Sequence, residues 1–208
     1  MTGNSMQTKA VLFDLGGVVV DVDFERALAH WEGRSRLAPE HLRERFGVDE
    51  PYEHHETGAI DSQAYFAHLR EHLQLEGDTA FIHEGWNSIF AGEIAETVRL
   101  IDAIRPRVRC WALSNTNAVH LAHMQRQYPA LLARFEKVFV SHEIGHRKPH
   151  PRAFEHVVQA IGVAPGEILF FDDLPENVEA ARRSGLQAVL VRGPADVRQA
   201  LRERGLID

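Results

Sequence analysis

Lys9-Ala-Val-Leu-Phe-Asp14-Leu-Gly16-Gly17-Val-Val-Val20 is the stretch on which the fold turns. An apolar run ends in an acid, two glycines follow, and a second apolar run begins at once. A short continuous apolar run bounded by turn residues reads as a strand buried on both faces of a parallel sheet. Similar runs recur at Val108-Arg-Cys-Trp-Ala-Leu-Ser114, Lys137-Val-Phe-Val-Ser141, Ile168-Leu-Phe-Phe-Asp172 and Ala188-Val-Leu-Val191. Helical patterns lie between them. Ile94, Val98, Ile101 and Ile104 share helical spacing, and Pro151 opens a segment striped by Phe154, Val157, Val158 and Ile161. Segments starting at Pro175 and Pro194 run to Gly185 and Gly205, the arrangement of proline inside a helix start and glycine past its end. Strands alternating with helices predict an α/β fold with a Rossmann-like parallel sheet of about five strands, covered on both faces.

Residues 22–92 read differently. They are rich in His, Glu and Arg and carry no convincing strand. Helices are expected near Phe24–Gly33, Pro39–Phe46, Ser62–Leu73 and Thr79–Phe90, the third capped by Asp61. Because the strand pattern resumes afterwards, this block is an insert. The expected organisation is a core of residues 9–21 and 93–208, a helical cap of 22–92 after the first strand, and a flexible N-terminal tail of 1–8. Residues 1–5 read either as a leader or as a cloning scar, and Met1–Gln7 lacks the apolar segment of a signal peptide.

The chain has 208 residues with 44% apolar and 25% charged composition, that of a globular domain. Lys and Arg total 23 against 30 Asp and Glu, a formal charge of −7 without a basic run. That is the wrong electrostatic footprint for nucleic acid. No apolar stretch approaches a membrane span. Cys110 is the only cysteine, so no intrachain disulfide forms, and a cytoplasmic location is expected.

Polar residues end the strands: Asp14, Ser114-Asn115, and Asp172-Asp173, with Lys148 in a loop after another strand. Ligands of open parallel sheets bind at those ends. Singly, each has a plain structural reading. Asp14 before Gly-Gly suits a turn. Ser114-Asn115 suits a helix N-cap, Lys148 a solvated loop, and Asp172-Asp173 the cap and dipole of the helix from Pro175. Together and in this order they point to a site.

Phe13-Asp-Leu-Gly-Gly-Val18, Leu113-Ser-Asn-Thr-Asn117, Arg147-Lys-Pro149 and Phe170-Phe-Asp-Asp-Leu-Pro-Glu-Asn177 resemble the four motifs of the haloacid dehalogenase-like hydrolases. Asn115-Thr-Asn117, His55-Glu-x-Gly58-x-Ile60 and Gly85-Trp86 look closer to a bacterial subgroup that includes α-glucose-1-phosphate phosphatases. That subgroup is similar to the phosphatase domain of epoxide hydrolases. The resemblance implies a Mg²⁺-dependent phosphatase acting on a small phosphorylated metabolite, such as a sugar 1-phosphate. Asp14 is then the nucleophile that forms an aspartyl-phosphate, and Lys148 neutralises it and the phosphate. Ser114, Asn115, Gly16 and Gly17 bind phosphate. Asp14, Asp172, Asp173 and the Gly16 carbonyl hold Mg²⁺. His55 faces the substrate from the cap; its alternative is a buried, hydrogen-bonded histidine.

One departure matters. Most phosphatases of this kind carry a second Asp two residues after the nucleophile, as acid and base. Here that residue is Gly16, and Asp21 and Asp23 lie beyond the turn. Without that acid, esters with good leaving groups are favoured unless another group takes over. A metal-free 2-haloacid dehalogenase would fit Gly16 but not the Asp172-Asp173 pair. A degenerate, non-catalytic binding module also fits Gly16, but not the retained Asp14, Ser114, Lys148 and Asp173. His68 and His72, four residues apart, lack a third ligand and read as a solvated helix face. Trp86 and Phe90 read as cap core, and Cys110 as a buried strand residue.

Overall fold

Alternate residues of the first strand enter different apolar clusters, and this builds the layers. In a computed structural model describing residues 7–208, β1 (Ala10–Phe13) is wholly buried. Val11 and Phe13 pack with Val98, Ile101, Met124 and Leu201 on one face. Ala10 and Leu12 pack with Phe154, Val157, Val178 and Ala181 on the other. A period of two buried on both sides is the signature of a strand between two helical layers. Residues 1–6 of the expected tail lie outside the described range.

The strands are β1, β2 (Val20–Val22), β3 (Phe90–Glu93), β4 (Arg109–Ser114), β5 (Val138–Val140), β6 (Ile168–Asp172) and β7 (Gln187–Leu190). The helices are α1 (Glu25–Glu32), α2 (Pro39–Arg45), α3 (Glu50–Glu56), α4 (Ser62–His72), α5 (Thr79–Asn87), α6 (Ala95–Ile104), α7 (Ala118–Gln127), α8 (Pro129–Leu132), α9 (Ser141–Ile144), α10 (Pro151–Ile161), α11 (Pro175–Arg183) and α12 (Pro194–Glu203). Five strands form one parallel sheet in the order β5-β4-β1-β6-β7. No helix among the described residues is long and apolar enough to cross a membrane.

Helices α1 to α5 surround their own apolar cluster, centred on Trp31, Tyr65 and Trp86. Two features of this block depart from the sequence expectation. Phe90–Glu93 is a strand, paired antiparallel with β2 across an irregularity at Asp21 and Val22. Its half-buried and exposed residues alternate, so no continuous apolar run announced it. Helix α3 was also missed, although Asp49 caps it by accepting from the Tyr52 N–H at 2.9 Å and Pro51 stands in its first turn. Gly58 lets this region approach α9: its φ is +72°, and a Cβ there would strike the His142 carbonyl oxygen.

Candidate active site

The strand order sets the carboxyl ends of β4, β1 and β6 side by side. Asp14 follows β1 directly, and its N–H extends the ladder to the Phe171 carbonyl at 2.8 Å. Ser114 closes β4 and Asp172 closes β6. Lys148, from the loop between α9 and α10, is 1% exposed. Its Nζ lies 2.8 Å from Asp14 Oδ2 and 2.7 Å from Asp172 Oδ2, and donates to the Leu113 carbonyl at 3.0 Å. All three protons of a buried ammonium are thereby matched to oxygen.

Burial pushes the Asp14 carboxyl well above its usual range; Lys148 pulls it back, and Asp172 and Asp173 push it further up. Burial works against the charge on Lys148, but Asp14 and Asp172 overcome it and raise its pKa. Burial, then the charge of Asp172, raises Asp173. Oxygens of Asp14, Asp172 and Asp173 all lie within 4.8 Å of one another. One ammonium thus serves two of three clustered carboxylates, and hard oxygens in excess of positive charge suit a divalent cation.

The convergence includes most of the expected site residues, with different duties for two of them. Asp172 has both oxygens engaged: one meets Lys148, and the other accepts from the Leu174 N–H and Asn177 Nδ2, each at 2.9 Å. Asn115 clamps the lysine loop instead of turning its amide to a ligand: its Nδ2 donates to the Lys148 carbonyl and its Oδ1 accepts from the Lys148 N–H, both at 2.8 Å. The Ser114 hydroxyl has only a 3.5 Å contact to the Asn115 carbonyl and lines the cavity. The N-cap of α7 is Asn117, two residues beyond Asn115. Gly17, at φ +71°, must lack a side chain because the Asp173 carboxylate occupies the place of its Cβ. Gly16 also lines the cavity.

His55 is not brought to this cavity. It is 3% exposed, its Nε2 pairs with Ser62 Oγ at 3.0 Å, and its ring stacks on Tyr65 at 4.4 Å. His68 and His72 likewise serve the helical block, bonding Asp49 Oδ2 at 2.7 Å and the Arg45 carbonyl at 3.0 Å. Cys110 is buried, and burial pushes its thiol up to about 12.

The cavity over the strand ends has a volume of about 340 Å³ and is roofed by Phe24, Tyr52 and Glu56. Val48 and Leu174, the two exposed large apolar side chains among the described residues, also line it. A larger open groove of about 670 Å³ between α5 and α7 holds none of the strand-end residues. Sequence reasoning missed Glu56, Arg147 and Asn177 as lining residues. Arg147 bridges to two carboxylates of α3, Glu53 at 2.7 Å and Glu56 at 2.8 Å. Arg147 and Asn177 stand at the ends of two of the motif-like segments and Glu56 stands beside His55, but nothing in the pattern singled them out.

The neutral state of His55 has a measurable consequence. Burial, then His142, lowers its pKa from 6.5 to about 4. Between those values the unfolded chain binds a proton at this position that the folded chain refuses, so stability falls as pH drops through this window. His55→Phe removes that liability. Relative to wild type it is expected to gain up to about 1.4 kcal/mol per pH unit on acidification from pH 6.5 to 5. Urea midpoints of both proteins across that range test this, and parallel curves would contradict it. Because His55 does not line the cavity, the substrate ranking is expected to stay unchanged.

An α/β core with a nucleophile-type carboxylate, a buried lysine and an acidic trio at its strand ends defines a hydrolase site. The chain belongs to the haloacid dehalogenase-like hydrolase family, whose model matches residues 8–185. It is similar to hexitol phosphatase A of Escherichia coli, at 30% identity over 201 residues covering 92% of this chain and 86% of that protein. It is also similar to D-ribitol-5-phosphate phosphatase of Bacteroides thetaiotaomicron, at 23% identity over 198 residues, 93% of this chain and 96% of that one. A HAD family enzyme from Bacteroides thetaiotaomicron, solved with magnesium and inorganic phosphate, superposes with a TM-score of 0.80 at 26% identity. That match covers 89% of this chain and 95% of the other.

Proposed function

We propose that this hydrolase is a Mg²⁺-dependent phosphatase of small phosphorylated sugars or polyols. The observation that carries the reading is the meeting of Asp14, Lys148, Ser114 and the Asp172-Asp173 pair at three adjacent strand ends, with Lys148 bridging Asp14 and Asp172 and oxygens of all three carboxylates within 4.8 Å of one another. Relatives named for hexitol and ribitol 5-phosphate support the substrate class.

In this reading residues 9–21 and 93–208 form the catalytic core, and 22–92 form a cap that excludes water and selects the leaving group. An oxygen of Asp14 attacks phosphorus and becomes phosphorylated. Lys148 holds Asp14 in place and offsets the negative charge gathered there, with Asp172 fixing the lysine. The Ser114 hydroxyl and the Gly16 N–H donate to phosphate oxygens, the Leu15 and Gly17 N–H groups being given to Asp14 and to the Val20 carbonyl. Asp14, Asp173 and the Gly16 carbonyl, with Asp172 beside them, would hold Mg²⁺. The bound ion supplies positive charge to the phosphoryl oxygens. The lone, buried Cys110 accords with a reducing, cytoplasmic setting.

Phosphate release from a panel of sugar and polyol phosphates, with and without Mg²⁺, separates the readings. The expected result is turnover that chelation abolishes and Mg²⁺ restores. Halide release from 2-halo acids in the presence of chelator would favour a dehalogenase, and binding without turnover would favour a non-catalytic module.

A further inference from the structure

We propose that Glu56 is the acid and base of the reaction, supplying from the cap the proton transfers for which Gly16 has no side chain. This rests on the phosphatase reading and adds to it a residue that touches the reacting atoms.

The turn after β1 offers no replacement. Asp21 and Asp23 are exposed, and neither lines the cavity. The space beside Gly16 is apolar, since a Cβ there would rest against Val22 at 3.4 Å. Among the other groups lining the cavity, Asp14 and Asp173 are committed to phosphoryl and cation chemistry, and Lys148 to Asp14. Arg147 cannot give up a proton. His120 has both ring nitrogens engaged, with Asn117 Nδ2 at 3.1 Å and the Trp86 carbonyl at 2.9 Å. The Tyr52 phenol is raised well above its usual value, chiefly by burial, which makes it a poor acid. Glu56 remains.

Its placement suits the task. Glu56 ends α3, lines the cavity together with Asp14, Ser114 and Asp173, and is 5% exposed. Its Oε2 lies 2.8 Å from Arg147 Nε, yet the N–H is misaligned, so both buried atoms lack a hydrogen-bond partner. The carboxyl is thus ion-paired with Arg147 without an aligned hydrogen bond, and it lines the cavity. Arg147 precedes Lys148, so the pair links the cap carboxyl to the loop that positions the catalytic lysine. Burial raises the Glu56 carboxyl, Arg147 and Tyr52 work against that, and Lys148 adds to their effect. Tyr65 on α4 also senses its charge.

The proton balance closes. In the first step Asp14 forms a bond to phosphorus, the bond from phosphorus to the leaving oxygen breaks, and that oxygen takes the Glu56 proton to depart as a neutral alcohol. In the second step the Glu56 carboxylate takes a proton from water as the water oxygen bonds to phosphorus. The bond from phosphorus to Asp14 breaks, phosphate leaves, and Glu56 is protonated again.

The test is Glu56→Gln assayed in single turnovers with two esters, a primary-alcohol sugar phosphate and p-nitrophenyl phosphate. A missing acid costs about 10²–10⁴-fold where the leaving group needs a proton. Phosphorylation of Asp14 by the sugar ester is expected to fall by that factor. The aryl ester should still give a rapid burst of about one phenolate per site, followed by slow turnover because water lacks its base. The burst also reports a folded site. Equal effects on both esters, or a raised KM with unchanged kcat, would overturn the assignment. Should the variant fail to fold, the wild-type pH profile decides: the sugar-ester step must weaken as pH rises through the Glu56 carboxyl titration while the aryl-ester step does not. Parallel profiles would overturn it. A wild type that hydrolyses no phosphate ester would instead sink the phosphatase reading, and this inference with it.

Discussion

Asp14→Asn is expected to abolish turnover while the chain still folds. Asp14 accepts the Leu15 N–H on Oδ1 at 2.6 Å and meets Lys148 with Oδ2 at 2.8 Å. An amide has nearly the same shape and keeps one of these acceptors. Its NH₂ group then faces a donor, a local cost of about 1–3 kcal/mol. The surrounding strand is buried on both faces and tolerates that loss. Catalysis does not, because an amide is too weak a nucleophile to form the covalent intermediate. A loss on the order of 10⁴-fold or more in kcat is expected for removal of a nucleophile from a cooperating site. Steady-state kinetics with a thermal melt read both quantities. A folded Asn variant with wild-type activity would remove Asp14 from its role.

Lys148→Met is expected to affect both stability and activity. Methionine fills the volume of the lysine stem but leaves Asp14 and Asp172 without their common cation. Removing one partner of a buried ion pair costs about 3–5 kcal/mol. The loss should be greatest near neutral pH and shrink on acidification, because protonation relieves the orphaned Asp14 carboxylate, which burial already pushes up. Activity should fall by about 10²–10³-fold or more, the scale for removing one preorganised charge stabiliser. Denaturant titrations at pH 5 and pH 7 alongside kcat would check both. A variant as stable as wild type at pH 7 would mean that Lys148 does not neutralise this cluster.

These effects concentrate on residues that the sequence already marked, for a physical reason. Ala10–Phe13 and Ile168–Asp172 are buried on both faces, so burial itself wrote continuous apolar runs that lead into the candidate site acids Asp14 and Asp172. Helices α10, α11 and α12 each begin with proline and were equally legible. What escaped depended on contacts between distant segments. The β2–β3 ribbon exists because Val20 and Asp21 pair with Glu93 and Gly92, and neither strand has a strong pattern alone. The clamp of Asn115 on the Lys148 backbone is invisible without the loop's path. His55 resembled a substrate contact by its neighbours in sequence, but the helical turn carries it into the interior of the helical block beside Tyr65, while the next residue, Glu56, lines the cavity. A one-residue difference on a helix is a rotation of about 100°, which no motif resolves.

The central claim is that catalysis passes through a phosphoryl group carried on Asp14. The direct measurement is to quench the enzyme during turnover of a labelled phosphate ester and locate the label by peptide mass spectrometry. The account predicts label on the peptide containing Asp14, absent from Asp14→Asn and chased away by unlabelled substrate. Turnover without label on any peptide, or label fixed at another residue, would contradict it.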